Sequence, residues 1–135
     1  MTRRRKRPDE VEMHEQGRRV RQSHAPKIED KFPGVNSIRI NLTFEDFDRD
    51  CDPKPQELNF FPESTAFFEH KCPFRECVMG GFDFSATMNQ CIRARQSEVE
   101  GELKCQGWQD RERINHSRCL LKARHGIHFE YSDAA

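Results

Sequence analysis

Large apolar side chains are scarce in this chain, and that scarcity limits what it can fold into. Ile, Leu, Val and Phe together number 27 of 135 residues, while charged residues make up 34%. Such a supply lies at the border between a lean globular domain and a chain that stays open. A domain this poor in aliphatics has little stability in reserve, and small domains of that kind commonly add a metal or disulfide staple. No run approaches the ~18 apolar residues that a membrane span needs. No apolar h-region follows Arg3-Arg4-Arg5-Lys6-Arg7, so the chain is expected to be cytoplasmic and its thiols reduced.

Six cysteines, at 51, 72, 77, 91, 105 and 119, are the candidates for a staple. Cys72-Pro73-Phe74-Arg75-Glu76-Cys77 is a C-x4-C turn of the kind that brings two thiolates to one ion. Cys105 and Cys119 fall in two apolar-patterned segments that read as the arms of a hairpin. A register pairing Cys105 with Cys119 also pairs Leu103 with Leu121 and Gly101 with Ala123, and puts the apolar residues on one face. Cys72, Cys77, Cys105 and Cys119 would then complete a closed, four-thiolate Zn2+ site. His70 and His116 are close enough in sequence to replace one cysteine, and free thiols or an iron–sulfur cluster remain as other readings. Cys91 lies on an apolar helix face as a small hydrophobe, and Cys51 lies in an acidic stretch. The four-cysteine arrangement resembles zinc knuckle and ribbon modules at the level of architecture.

The pattern along the chain predicts an α+β domain over residues 35–135. Ile38, Ile40, Leu42 and Phe44 alternate with Arg39, Asn41 and Thr43, the period of a half-buried strand. A loop spans Glu45–Gln56, and Leu58, Phe60 and Phe61 form an apolar cluster broken by Pro62. A second strand is expected over Thr65–Lys71. A helix capped by Asp83 or Ser85 runs to Arg95, burying Phe84, Met88, Cys91 and Ile92. Strands over Gly101–Trp108 and Cys119–Tyr131 close the order β-β-α-β-β, a small antiparallel sheet with one helix. The acidic stretch Asp46–Glu57 matches positions 1, 3, 5 and 12 of a calcium loop. It lacks the turn glycine and carries Pro53 and Pro55, so it reads as a solvated connection.

Charge divides the chain in two. Lys and Arg number 23, as do Asp and Glu, yet residues 1–27 hold 9 basic against 4 acidic side chains. Residues 1–34 are expected to be a disordered basic tail. A basic arm on an acidic body suits an anionic partner, DNA or RNA first and another protein second. Arg3, Arg4, Arg5, Lys6 and Arg7 are the arm's candidate contacts. Arg111, Arg113 and Arg118, in the polar loop after Trp108, are those of the domain. No phosphate loop, nucleophile elbow, HExxH or CxxC occurs, so a non-enzymatic binding domain is expected ahead of a protein–protein adaptor or an enzyme using the metal or a cysteine.

Overall fold

The computed structural model describes residues 3–46, 52–109 and 118–132, with side chains from Glu10 onward. The strand predicted first forms β1 (Val35–Glu45), in which Ile38, Ile40, Leu42 and Phe44 are buried and Arg39, Asn41 and Thr43 are exposed. It pairs antiparallel on one side with β2 (Gln56–Phe60) and on the other with β6 (Lys122–Tyr131). Beyond β6 lies β5 (Glu98–Lys104), so the four-stranded antiparallel sheet runs β2-β1-β6-β5. Ile40 faces Leu58 on one neighbour and Ile127 on the other, so the apolar residues form rows across the same face.

One layer covers that face. The expected helix is α3 (Ser85–Arg93), two residues shorter than predicted; its N-cap is Phe84, without a side-chain cap, and Asp83 Oδ1 accepts the Ser85 N–H at 2.9 Å just before it. Phe84, Met88 and Cys91 are the buried face of this helix, Phe84 and Met88 with no exposure at all. Phe82, in the two-stranded β3 (Glu69–His70) and β4 (Phe82–Asp83) pair, packs on Phe44 with ring centroids 6.1 Å apart. Phe68 packs on Phe60 at 5.1 Å. Ile28, at the head of the one-turn α2 (Ile28–Lys31), is fully buried, and its N–H donates to Ser64 O. The outer sheet face is polar and laced with ion pairs such as Arg124–Glu45 and Lys122–Glu102. The α+β class with an antiparallel sheet is what the pattern implies; several details differ.

The second strand of the sheet is Gln56–Phe60, taken by sequence as loop end and apolar cluster. Of Thr65–Lys71 only Glu69–His70 is a strand, and Phe68 crosses the core as irregular chain. A run of phenylalanines on either side of Pro62 hides the period: both segments are apolar enough to be strands, and neighbour geometry decides. The hairpin register is offset by two residues. Leu103 faces Ala123, and Cys105 N–H donates to Leu121 O. A two-residue slip leaves every side chain on its face, so the hydrophobic pattern does not distinguish the two registers.

The expected disordered tail is replaced over most of its length. Arg3–His24 form a helix, α1, and Val11 on it is 2% exposed. Its partners lie on the body, in Val78, Met79 and Trp108, which a search for an apolar stripe within the tail does not reveal.

Among the described residues His125, on the sheet's inner face, is the one buried polar side chain. Its ring meets Phe84 edge-on at 5.1 Å, and a Cβ on Gly101 would come within 2.9 Å of its Nε2. Its Nδ1 is buried without a hydrogen-bond partner, and desolvation holds its pKa below the ordinary value. The unfolded chain therefore takes up a proton that the folded chain refuses, and stability falls as pH drops below about 6.5. Urea melts from pH 7.5 to 5.5 are expected to lose less stability per pH unit in His125→Leu than in the wild type. The difference is bounded at about 1.4 kcal/mol per unit.

Candidate metal centre

The far end of the hairpin and the turn after β3 meet at one place. Cys105 stands just beyond β5 and Cys119 just before β6, each buried. Cys72 and Cys77 bracket the Pro73 turn, in which Cys77 N–H donates to Phe74 O at 3.2 Å. The two halves are joined by a reciprocal pair of backbone hydrogen bonds, Val78 to Trp108 and back, both 3.0 Å. So close an approach requires glycine. A Cβ on Gly107 would stand 2.5 Å from Val78 O and 2.8 Å from Cys77 Sγ, and one on Gly80 would run into Cys105 Sγ.

All four sulfurs lie within 4.8 Å of one another. Cys72 and Cys119 are 3.9 Å apart and Cys77 and Cys105 3.5 Å apart. These are free thiols, far beyond the ~2.05 Å of a disulfide. A tetrahedron with four sulfurs ~2.3 Å from its centre has edges of ~3.8 Å. The donor set therefore fits one tetrahedral ion with soft ligands. Gly81 N–H donates to Cys105 Sγ at 3.2 Å, which offsets part of the thiolate charge.

The thiols also perturb one another. Hydrogen bonds from Cys105, Cys72 and Cys77 hold Cys119 far below its usual value. For Cys105 the bond with Cys119 acts upward, but those with Cys72 and Cys77 prevail and bring it down to about 7. Cys72 and Cys77 are driven up by their hydrogen bonds to Cys105 and Cys119 and by burial. Four negative sulfurs this close repel one another strongly, so full ionisation requires a cation at the centre. An ion there would supply that positive charge and a fixed tetrahedral cross-link.

The other candidates stay apart from the cluster. His70 Nε2 meets Gln56 Oε1 at 2.8 Å. Cys91 is on α3, its thiol pushed up by burial. Cys51, Arg111, Arg113 and His116 lie outside the described residues, as does most of the first half of the acidic loop. Glu57, its twelfth position, is inside β2 opposite Asn41. Arg118 is exposed; its guanidinium covers the Trp108 ring at 4.3 Å and donates to Gln106 O at 2.9 Å. Arg3, Arg4, Arg5, Lys6 and Arg7 occupy the first turns of α1.

Sequence reasoning missed how α1 is held. Arg18 Nη2 donates to Gly80 O, and Arg21 makes a two-point pair with Glu69 at 2.7 and 2.8 Å. The signal was weak: Val11, His14, Arg18 and Arg21 share a helical face, but only one of them is aliphatic. Among the described residues no helix is long and apolar enough to cross a membrane.

Comparison with protein-family models, curated proteins and solved structures finds no match to this chain.

Titration with Co2+ is expected to give a tetrahedral thiolate spectrum that saturates at one ion per chain. Gly107→Ala should weaken that binding about tenfold or more, because the neighbouring backbone oxygen has no room to yield. Gly126→Ala, where a Cβ meets nothing within 4 Å, should leave it unchanged.

Proposed function

We propose that this chain is a small non-enzymatic zinc-binding domain of the cytoplasm that binds nucleic acid through its basic arm. Zinc is the ion that four buried or half-buried cysteines at tetrahedral spacing suit, and such all-protein sites are closed. A closed site leaves no coordination position for a substrate, which supports a structural role. Two ligands from a turn and two from the end of a hairpin support the likeness to zinc ribbons.

The observation that carries the nucleic-acid reading is the packing of Trp108 against the cluster that Val11 forms with Val78. It supports α1 and the Trp108 segment, two distant parts of the sequence each flanked by basic residues, acting on one partner. The helix start lies about 12 Å along the axis from Val11 and bears Arg3, Arg4, Arg5, Lys6 and Arg7 with no acidic residue in its first turn. A helix N-terminus attracts phosphate through its free amides and dipole, and the cations add to that field. Trp108 in turn carries Arg118. The segment that bears Arg111 and Arg113 leaves and re-enters the described chain at the Trp108–Arg118 bridge.

Anisotropy titrations against a fluorescent oligonucleotide, repeated from 50 to 300 mM salt, test this reading. Affinity is expected to fall steeply with salt. Replacing Arg3, Arg4, Arg5, Lys6 and Arg7 by Gln should reduce the log–log slope by about 0.7–0.9 for each phosphate that the arm no longer neutralises. Arg118→Ala should weaken binding at every salt concentration. No binding at 50 mM salt, or binding indifferent to salt, overturns the reading in favour of a protein partner.

A further inference from the structure

We propose that the metal centre is the dock for α1, so that ion binding by the four cysteines decides whether residues 3–24 lie on the domain or leave it. The inference rests on the reading of Cys72, Cys77, Cys105 and Cys119 as a zinc site and adds a consequence of occupying it.

The partners of Val11, Arg18 and Arg21 of α1 stand within three residues of a cysteine of the cluster. Val11 is buried among Val78 and Met79, one and two positions after Cys77, and Trp108, three after Cys105. Arg18 donates to Gly80 O, three positions after Cys77. Arg21 and Arg18 both face Glu69, three before Cys72. Apart from Glu69, which stands in the two-residue strand β3, these receiving segments are turns and isolated bridges with little regular structure of their own. Their shape depends on what the sulfurs hold in common. Without a cation the turn from Cys72 to Gly81 is tied to the hairpin by little more than the backbone pair between Val78 and Trp108.

The helix brings little to the contact by itself. Val11 is its one buried aliphatic side chain among the described residues, and Met13 and Val20 face solvent at 71% and 47% exposure. Arg21 is itself half-exposed, so its pair with Glu69 is screened by water. Most helical stability in proteins comes from packing an apolar face, which α1 largely lacks, and Gly17 lowers its intrinsic helicity further. Docked it persists; undocked it melts.

The chain just after α1 is held differently. Ile28 is fully buried in the main core; its N–H donates to Ser64 O at 2.8 Å, and Ala66 N–H donates to Pro26 O at 2.7 Å. Neither contact involves a cysteine or its neighbours. The boundary between the metal-dependent and metal-independent parts therefore falls at Ala25–Pro26. The sheet, whose core rows run through Ile38, Ile40 and Ile127, lies on the independent side.

Hydrogen exchange by mass spectrometry on the full chain tests this, comparing one equivalent of Zn2+ with excess chelator. Chelation is expected to speed exchange of the amides of residues 12–24 at least tenfold, while residues 28–32 and 37–44 keep their protection. Val11→Asp is expected to bind one Zn2+ as the wild type does and yet exchange over residues 12–24 like the chelated protein. Protection of α1 that survives chelation, or survives in zinc-loaded Val11→Asp, overturns the proposal. So does a loss of protection that spreads evenly through β1. A chain that takes up no Zn2+ refutes the metal reading itself, an outcome that elemental analysis separates from the others.

Discussion

Four sulfur atoms held within 4.8 Å of one another set the terms for one end of this molecule. Thiols so close, two of them buried, drive one another apart in acidity, Cys105 and Cys119 downward and Cys72 and Cys77 upward. The backbone around them has no slack. Gly80 and Gly107 stand where any side chain would strike a sulfur or a carbonyl oxygen. Reciprocal hydrogen bonds between Val78 and Trp108 lock the turn to the hairpin. Contacts that depend on those two segments, the seating of Val11 and of Arg18 among them, inherit that geometry.

The shortage of aliphatic residues turns out to be a shortage of only one kind of apolar surface. Phenylalanine carries much of the core: Phe44, Phe68, Phe82, Phe84 and Phe129 are all buried, and Phe32, Phe60 and Phe74 pack against them. Each such ring buries more area than an aliphatic side chain. A sheet of four strands with one apolar face and a single covering layer then suffices for a core. An ion held by the four cysteines at the hairpin end would therefore add to a core that already exists; it would not take its place.

Much of the site was legible in the sequence because cysteine chemistry is sparse and spacing limits it. The parity of Cys105 and Cys119 with Leu103 and Leu121 put all four residues on one face under either register, so the two-residue error in pairing did no harm to the site. The strand over Ile38–Phe44 and the helix face Phe84, Met88, Cys91 were equally plain, since each is a clean period of its element. The choice of partner strand was not, because Leu58–Phe61 and Phe67–Phe68 are both apolar and only tertiary packing ranks them. Nor was α1. A polar helix whose one apolar anchor sits in a pocket built by residues 78, 79 and 108 has no local pattern to read, and its seat is invisible until the fold is known.

The two central strands of the sheet, β1 and β6, are the first and the last strands of the described chain. Their pairing joins residues such as Ile38 and Phe129, so the most buried part of the sheet depends on the widest loop closure in the domain. Loop closure of that length must precede the contacts that reward it, which makes for slow, non-local folding. During synthesis β1 emerges early with Ile38, Ile40 and Leu42 on one face and only β2 beside it. It waits for nearly the whole remaining domain before its second neighbour appears. A ribosome-bound intermediate with one unpaired edge and an open apolar face is the form in which this protein is most prone to aggregate.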